Sequence, residues 1–175
     1  NIPVLLKAFV NIQCLGREGL REVAEVSVLN ANYIMRKAAS IRGFELPFSP
    51  STPRKHECVL SVKKMYDETG VRALDVSKRI LDFGLHPPTM YFPQIVDEAL
   101  MIEPTESFEK EELDRYIEVL KLISKEAYET PEKVKSAPHN TSVGRLDEAR
   151  ASHPRTLALS WKMYLKKLKS GKLED

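Results

Sequence analysis

Only two cysteines and seven glycines occur among the 175 residues. Cys14 and Cys58 are far apart and make neither a metal-ligand nor a redox spacing, also when combined with the four histidines. A reducing, cytoplasmic setting follows as the expectation, with no metal. The glycines are scattered singly, which excludes a Gly-rich phosphate loop. No serine stands in a sharp Gly-flanked elbow, so an acyl-transfer triad fails. No apolar run approaches the roughly 20 residues that span a bilayer, and no membrane partner is expected. An excess of one charge is missing too. Lys and Arg number 27 against 25 Asp and Glu, and a net charge of +2 without a localised basic face argues against nucleic acid. What remains is an ordinary globular balance, with 42% hydrophobic and 30% charged residues. A chain of this size buries roughly 70% of its unfolded surface and needs no disulfide to fold.

The chain opens at Asn1 on NIPVLLKAFVNIQCLG, an apolar helix with no polar turn before it. Such a start is expected of a piece of a longer protein. Val4, Leu5, Phe9 and Ile12 would then pack on the missing part, or drive self-association when it is absent. Residues 3–15 read as a helix, Gly16 as a break, and 17–39 as a second helix. Its stripe of Leu20, Val23, Ala24, Ser27, Val28, Ala31, Met35 and Ala38 recurs at helical spacing. Pro47, Pro50 and Pro53 make the next stretch a loop.

HECVLSV (56–62) reads as a strand, DETG (67–70) as a turn, and 71–83 as a helix closed by Gly84 in a left-handed cap. TMYF (89–92) and ALMI (99–102) are short strands. The clearest helix runs from 108 to 128, burying Leu113, Tyr116, Ile117, Leu120, Ile123 and Ala127, with Ser107 as its cap. Thr130 and Pro131 start a short helix, residues 136–154 read as irregular, and a last helix carries Trp161. Three short strands among helices cannot build a doubly wound sheet. They suit an α+β layer, a short, mainly antiparallel sheet with helices on one face, preceded by two helices. The expected division is a helical linker over 1–40 and an α+β domain over 41–175.

Three loops could carry chemistry. In HPPTMYFP (86–93), Pro87 and Pro88 hold the backbone extended, so that His86 and Thr89 stand at a set distance. That can orient a ligand, or merely connect rigidly into an edge strand. IEPTE (102–106) places Glu103, Thr105 and Glu106 before a helix start, where acidic groups commonly answer the helix dipole. APHNTSVGRLDEAR (137–150) is rich in short polar groups, and an irregular stretch of that length is expected to dock on a partner. The lysines of WKMYLKKLKSGKLED form either a solvated helix face or a contact for an acidic partner.

RALDVSKRILDFGLHPPTMYFP (72–93) followed by EALMIEPTESFEKEEL (98–113) resembles the glycine decarboxylase P-protein family. APHNTSVGRLDEAR looks like its C-terminal signature, with Asn140, Ser142 and Gly144 departing from it, and LGREGLREVAEVSVLNANY (15–33) looks like the helix before its small domain. The resemblance implies the small C-terminal domain of a fold-type-I pyridoxal-phosphate enzyme, in the split form the C-terminal part of subunit 2. The implied activity is glycine decarboxylation, with the aminomethyl group passed to the lipoyl arm of the H-protein. Subunit 1 and the lipoylated H-protein are the implied partners and pyridoxal phosphate the implied cofactor. The family's Schiff-base lysine lies in an upstream Gly-rich segment without counterpart here, so no catalytic residue is assigned and the chain alone is expected to be inactive. By position, His86 and Thr89, with Glu103 and Thr105 behind them, are expected at the substrate cleft. The competing reading is a non-enzymatic α+β binding module that uses the basic C-terminal helix.

Overall fold

Asn1 and Pro3 start a 37-residue helix, α1 (Ile2–Ala38), and Gly16 interrupts it with φ 61° and ψ −169°. That backbone shape is open to glycine and strained for any other residue, so the break falls where the sequence places it. The computed structural model describes residues 1–153 and 160–170, which fall into two compact units, Asn1–Ser142 and Val143–Asp175.

In the first unit, β1 (Cys58–Ser61) leads into α2 (Lys63–Thr69) and α3 (Ala73–Leu81), followed by β2 (Thr89–Met90) and β3 (Ala99–Ile102). Helices α4 (Lys110–Glu129) and α5 (Pro131–Lys135) complete it. The strands lie in the order β1-β3-β2, all antiparallel, with Cys58 opposite Ile102 and Thr89 opposite Met101. The pleat sorts the side chains by face. Cys58, Leu60, Leu100 and Ile102 join the main core with Ile34 and Met35 of α1, Val76 and Ile80 of α3, and Leu120 and Ile123 of α4. Val59 and Ala99, on the other face, form a small second cluster closed by Val96. The fold is the expected α+β layer.

Local differences have local causes. The turn foreseen at 67–70 is the end of a helix, α2, whose cap is Gly70 at φ 75°. β2 stops after two residues because Tyr91 turns to φ 57°. Ser107 does not cap α4. Its hydroxyl pairs with that of Thr105 at 2.6 Å, while Glu109 occupies the cap and its N–H donates to the Glu112 carboxylate at 3.0 Å. Along α1, only the C-terminal part of the stripe reaches the core. Ala31, Met35 and Ala38 are buried with Asn30 and Ile34, whereas Leu20 and Val28 stay exposed.

In the second unit, a turn of helix, α6 (Glu148–Ser152), interrupts the stretch read as irregular, and the Asp147 carboxylate caps it by accepting from the Arg150 N–H at 3.0 Å. The last helix, α7 (Trp161–Lys169), stacks Trp161 on Tyr164 with ring centres 5.2 Å apart. Lys162, Lys166 and Lys169 are exposed on it, while Lys172 and the Lys167 side chain lie outside the described residues.

Gly43 is the most closely enclosed of the described glycines. At φ 82°, an added Cβ would stand 2.9 Å from the Tyr128 hydroxyl and 3.0 Å from Met65 Cβ. Strain and overpacking act together there, so Gly43→Ala is expected to cost about 1–3 kcal/mol. A urea midpoint unchanged in the variant would contradict this packing.

Candidate functional site

Antiparallel pairing brings the start of β1, the start of β2 and the end of β3 to one end of the sheet. The segments that leave the sheet there are those in which the sequence concentrates its candidate residues. Between them lies a cavity of about 220 Å³. Leu85 to Thr89 form one wall and Met101 to Pro104 the other, on a floor of Ile34 from α1 and Leu113 and Tyr116 from α4. The lining is apolar within, with polar groups at His86, Thr89, Glu103, Glu112 and Arg115.

Each wall is tied to a helix. Arg115 donates from Nη2 to the Phe83 carbonyl at 3.0 Å, which fixes the turn leading into His86. Asn30, buried on α1, donates from Nδ2 to the Thr105 carbonyl at 2.9 Å and to that of Phe108 at 3.4 Å. Helix α3 stops at Leu81 with Asp82 at its C-cap, short of the expected end at Phe83. Gly84, left-handed at φ 70°, therefore closes the turn after the helix rather than the helix itself. Burial pushes the Tyr116 phenol upward, the Cys58 thiol adding to the shift, so Tyr116 presents a neutral hydroxyl. The Cys58 thiol itself is pushed up to about 12, by burial first, and is inert.

His86, Thr89 and Glu103 therefore line one cavity, and all three are exposed. Thr105 does not line it: its hydroxyl is taken by Ser107 and its carbonyl by Asn30. Sequence reasoning missed Arg115, Glu112 and Asn30. The first two stand on the exposed flank of a helix that reads as plainly amphipathic. Asn30 sits on the stripe of α1, where its polarity was the available signal. His56, Glu57 and Glu103 also approach, with donor atoms within 4.8 Å of one another. Spacing along the chain conceals this cross-strand group. His56 and Glu57 already stand 3.8 Å apart as a pair on protonation of the ring.

A second polar centre lies at the end of α3. Arg79 grips Glu126 of α4 with two bonds, Nε to Oε2 at 2.8 Å and Nη2 to Oε1 at 3.0 Å, and its Nη1 donates to Asp82 at 2.8 Å. Lys133 of α5 donates to Glu126 at 2.5 Å. Asp82, whose side chain has no exposed surface, also accepts the backbone N–H groups of His139 at 2.5 Å and Asn140 at 2.7 Å. Burial alone would raise Asp82. The two amides and the guanidinium outweigh it and hold the carboxyl below its usual range.

The described residues thus form a small α+β layer whose loops gather over one sheet end into a cleft, with an exposed apolar helix face at the N-terminal end. The model of the glycine dehydrogenase C-terminal domain matches residues 23–144, and the chain belongs to that family. It is 58% identical over 174 residues to the probable glycine dehydrogenase (decarboxylating) subunit 2 of Pyrococcus horikoshii, covering 99% of this chain and 34% of that protein. The corresponding protein of Thermotoga petrophila is 55% identical over 152 residues, covering 87% of this chain and 31% of its own length. Among solved structures, an inhibitor-bound glycine decarboxylase (P-protein) of the glycine cleavage system aligns with a TM-score of 0.54 and 28% identity, over 64% of this chain and 24% of that one. The chain thus spans about a third of the length of the curated relatives it matches.

Proposed function

We propose that this chain supplies one wall of the site at which a glycine decarboxylase P-protein works, and that the parent enzyme passes the aminomethyl group of glycine to the lipoyl arm of an H-protein. The observation that carries the reading is that every cavity-lining residue, from Ile34 to Tyr116, falls inside the matched span 23–144. Binding-module chemistry at the basic C-terminal helix accounts for the lysines but for none of that match.

Pyridoxal phosphate is the cofactor this activity needs, and the cleft residues do not fit it as a resident. The lining includes no lysine to hold the cofactor covalently and no glycine at which a backbone could close on its phosphate. The cofactor then belongs to other segments of the parent, with subunit 1 as the partner in a split enzyme. No step through the cofactor is derived from this chain. What its residues do is bind and orient: His86 and Thr89 offer polar contacts held by the extended Pro87–Pro88 backbone, and Glu103 and Arg115 set opposite charges on the rim. The free cysteines suit work in the cytoplasm.

The division proposed is a helical linker over 1–40, whose N-terminal half packs on the rest of the parent while its last turns join the core of the α+β domain that follows. The exposure of Leu5 at 67% and Phe9 at 60% supports it. Leu5→Glu with Phe9→Glu should leave stability within about 0.5 kcal/mol, because both side chains are exposed among the described residues. The same pair should abolish any self-association of the isolated chain in sedimentation. A lowered melting temperature in the double variant would show that this face is already used internally.

The test of the functional reading is release of carbon dioxide from carboxyl-labelled glycine by the full-length enzyme, with pyridoxal phosphate and a lipoylated acceptor supplied. Glycine-dependent release supports it. A full-length enzyme that prefers another amino acid overturns it.

A further inference from the structure

A buried ion network is a costly way to stabilise a fold, because each charge gives up its water. Arg79, Asp82 and Glu126 bear that cost, with the exposed Lys133 joining Glu126 at the edge, beside a segment whose side chains are exposed. Asp82 is the member that reaches the segment. Its Oδ1 takes the N–H groups of His139 and Asn140, its Oδ2 takes Arg79, and its backbone carbonyl accepts from Asn140 Nδ2 at 3.1 Å. His139 is held a second time, its Nε2 lying 2.9 Å from the Lys133 carbonyl. Two successive backbone amides are thereby pinned by one carboxylate oxygen, while the side chains of Asn140, Thr141 and Ser142 stay at the surface.

The same few residues also fix the cleft. Asp82 caps α3, the next residue is held by Arg115 through its carbonyl, and Leu85 and His86 follow as lining. One turn therefore carries the cleft wall on one side and the 139–142 segment on the other. A contact that only stabilised the fold would not need to fix the backbone of an exposed segment.

We propose that Asp82 is a positioning residue for the reaction of this enzyme: it registers the exposed polar segment 139–142 against the cleft wall that starts at Leu85. The proposal rests on the reading of the cleft as part of a glycine-decarboxylating site. The segment is a working surface, and its placement depends on the oxygen that accepts the two amides rather than on the stability of the network.

Two variants separate these roles. Asp82→Asn keeps the carbonyl oxygen for the two amides but loses the charge that faces Arg79. Asp82→Ala loses both. Amide hydrogen exchange of His139 and Asn140, measured in this chain, is expected to stay within about tenfold of the wild type in Asp82→Asn and to rise by about a hundredfold or more in Asp82→Ala. Thermal stability falls in both. In the full-length enzyme, kcat should follow the clamp and not the stability. It stays within about threefold in Asp82→Asn and drops by about ten- to a hundredfold in Asp82→Ala, with KM for glycine little changed. Leu120→Ala, a variant of a fully buried core leucine, sets the effect of lost stability alone and should leave kcat near the wild type while the enzyme is folded.

Turnover in Asp82→Asn that falls as far as stability, or equal losses of kcat in Leu120→Ala and Asp82→Ala, would overturn the proposal. So would rapid exchange at His139 and Asn140 with kcat intact. If Asp82→Ala does not fold, Asp82→Ser takes its place, since its shorter side chain withdraws the accepting oxygen from the two amides. The same rise in exchange and loss of kcat are expected in it, and kcat near the wild type overturns the proposal. A wild-type enzyme inactive on glycine defeats the functional reading and with it the assignment to a reaction, while the exchange arm still reports separately whether Asp82 clamps the segment.

Discussion

Replacing Arg79 by Met is expected to cost about 3–5 kcal/mol of folding stability at neutral pH, as measured by urea unfolding. The guanidinium and both its partners are at most 9% exposed, and its removal leaves the Asp82 carboxylate buried without its cation and Glu126 with Lys133 alone. The size of the loss reflects that orphaned charge more than the net worth of the pairs. The pH dependence has a definite sign. Burial would raise Glu126, but Arg79 and Lys133 hold it low, and Asp82 is held low in the same manner. Groups with depressed folded values stabilise fully above the unfolded carboxylate range of about 4 and lose that contribution as the pH falls through the folded values. The wild type should therefore weaken on acidification below about pH 4. The variant, whose unpaired carboxylates gain by taking up protons, should weaken less, so the gap between the two narrows. A gap that stays constant from neutral pH to pH 3 would contradict the network.

His86→Ala has the second large expectation, on turnover rather than folding. The histidine is exposed, lines the cleft, and is held by Pro87 and Pro88 in an extended backbone anchored through Phe83 to Arg115. Glycine turnover in the full-length enzyme should fall by one to three orders of magnitude, about the loss of one positioned polar contact that strengthens in the transition state. Stability should move by less than about 0.5 kcal/mol, since an exposed loop side chain contributes little to folding. Unchanged turnover with a markedly lower melting temperature would make this turn a rigid connector and nothing more.

The elements that announced themselves in the sequence are those with strong periodicity or punctuation. The stripe of α4, the break at Gly16, the ALMI strand and the proline turn after Gly84 all stand where local chemistry puts them. What escaped depends on contacts distant in the chain. Helix α2 is seven residues long with a single buried apolar residue, Met65, so it offers no period to read. Ser107 looks like a cap until Thr105 claims its hydroxyl. Asp82 reads as an unremarkable helix-end acid, because the amides it binds lie 57 and 58 residues further on. For the cleft, His86, Thr89 and Glu103 were legible as loop residues near strand ends. That they share one cavity follows from the β3 register, which no spacing rule contains.

In the division of labour proposed above, this chain shapes the cleft and other parts of the enzyme hold the cofactor. The most direct measurement is an absorbance scan of the isolated chain after incubation with pyridoxal phosphate and dialysis, set beside the full-length enzyme treated in the same way. A stoichiometric visible band is expected in the full-length enzyme and none in the isolated chain. A stoichiometric band that survives dialysis in the isolated chain would contradict it.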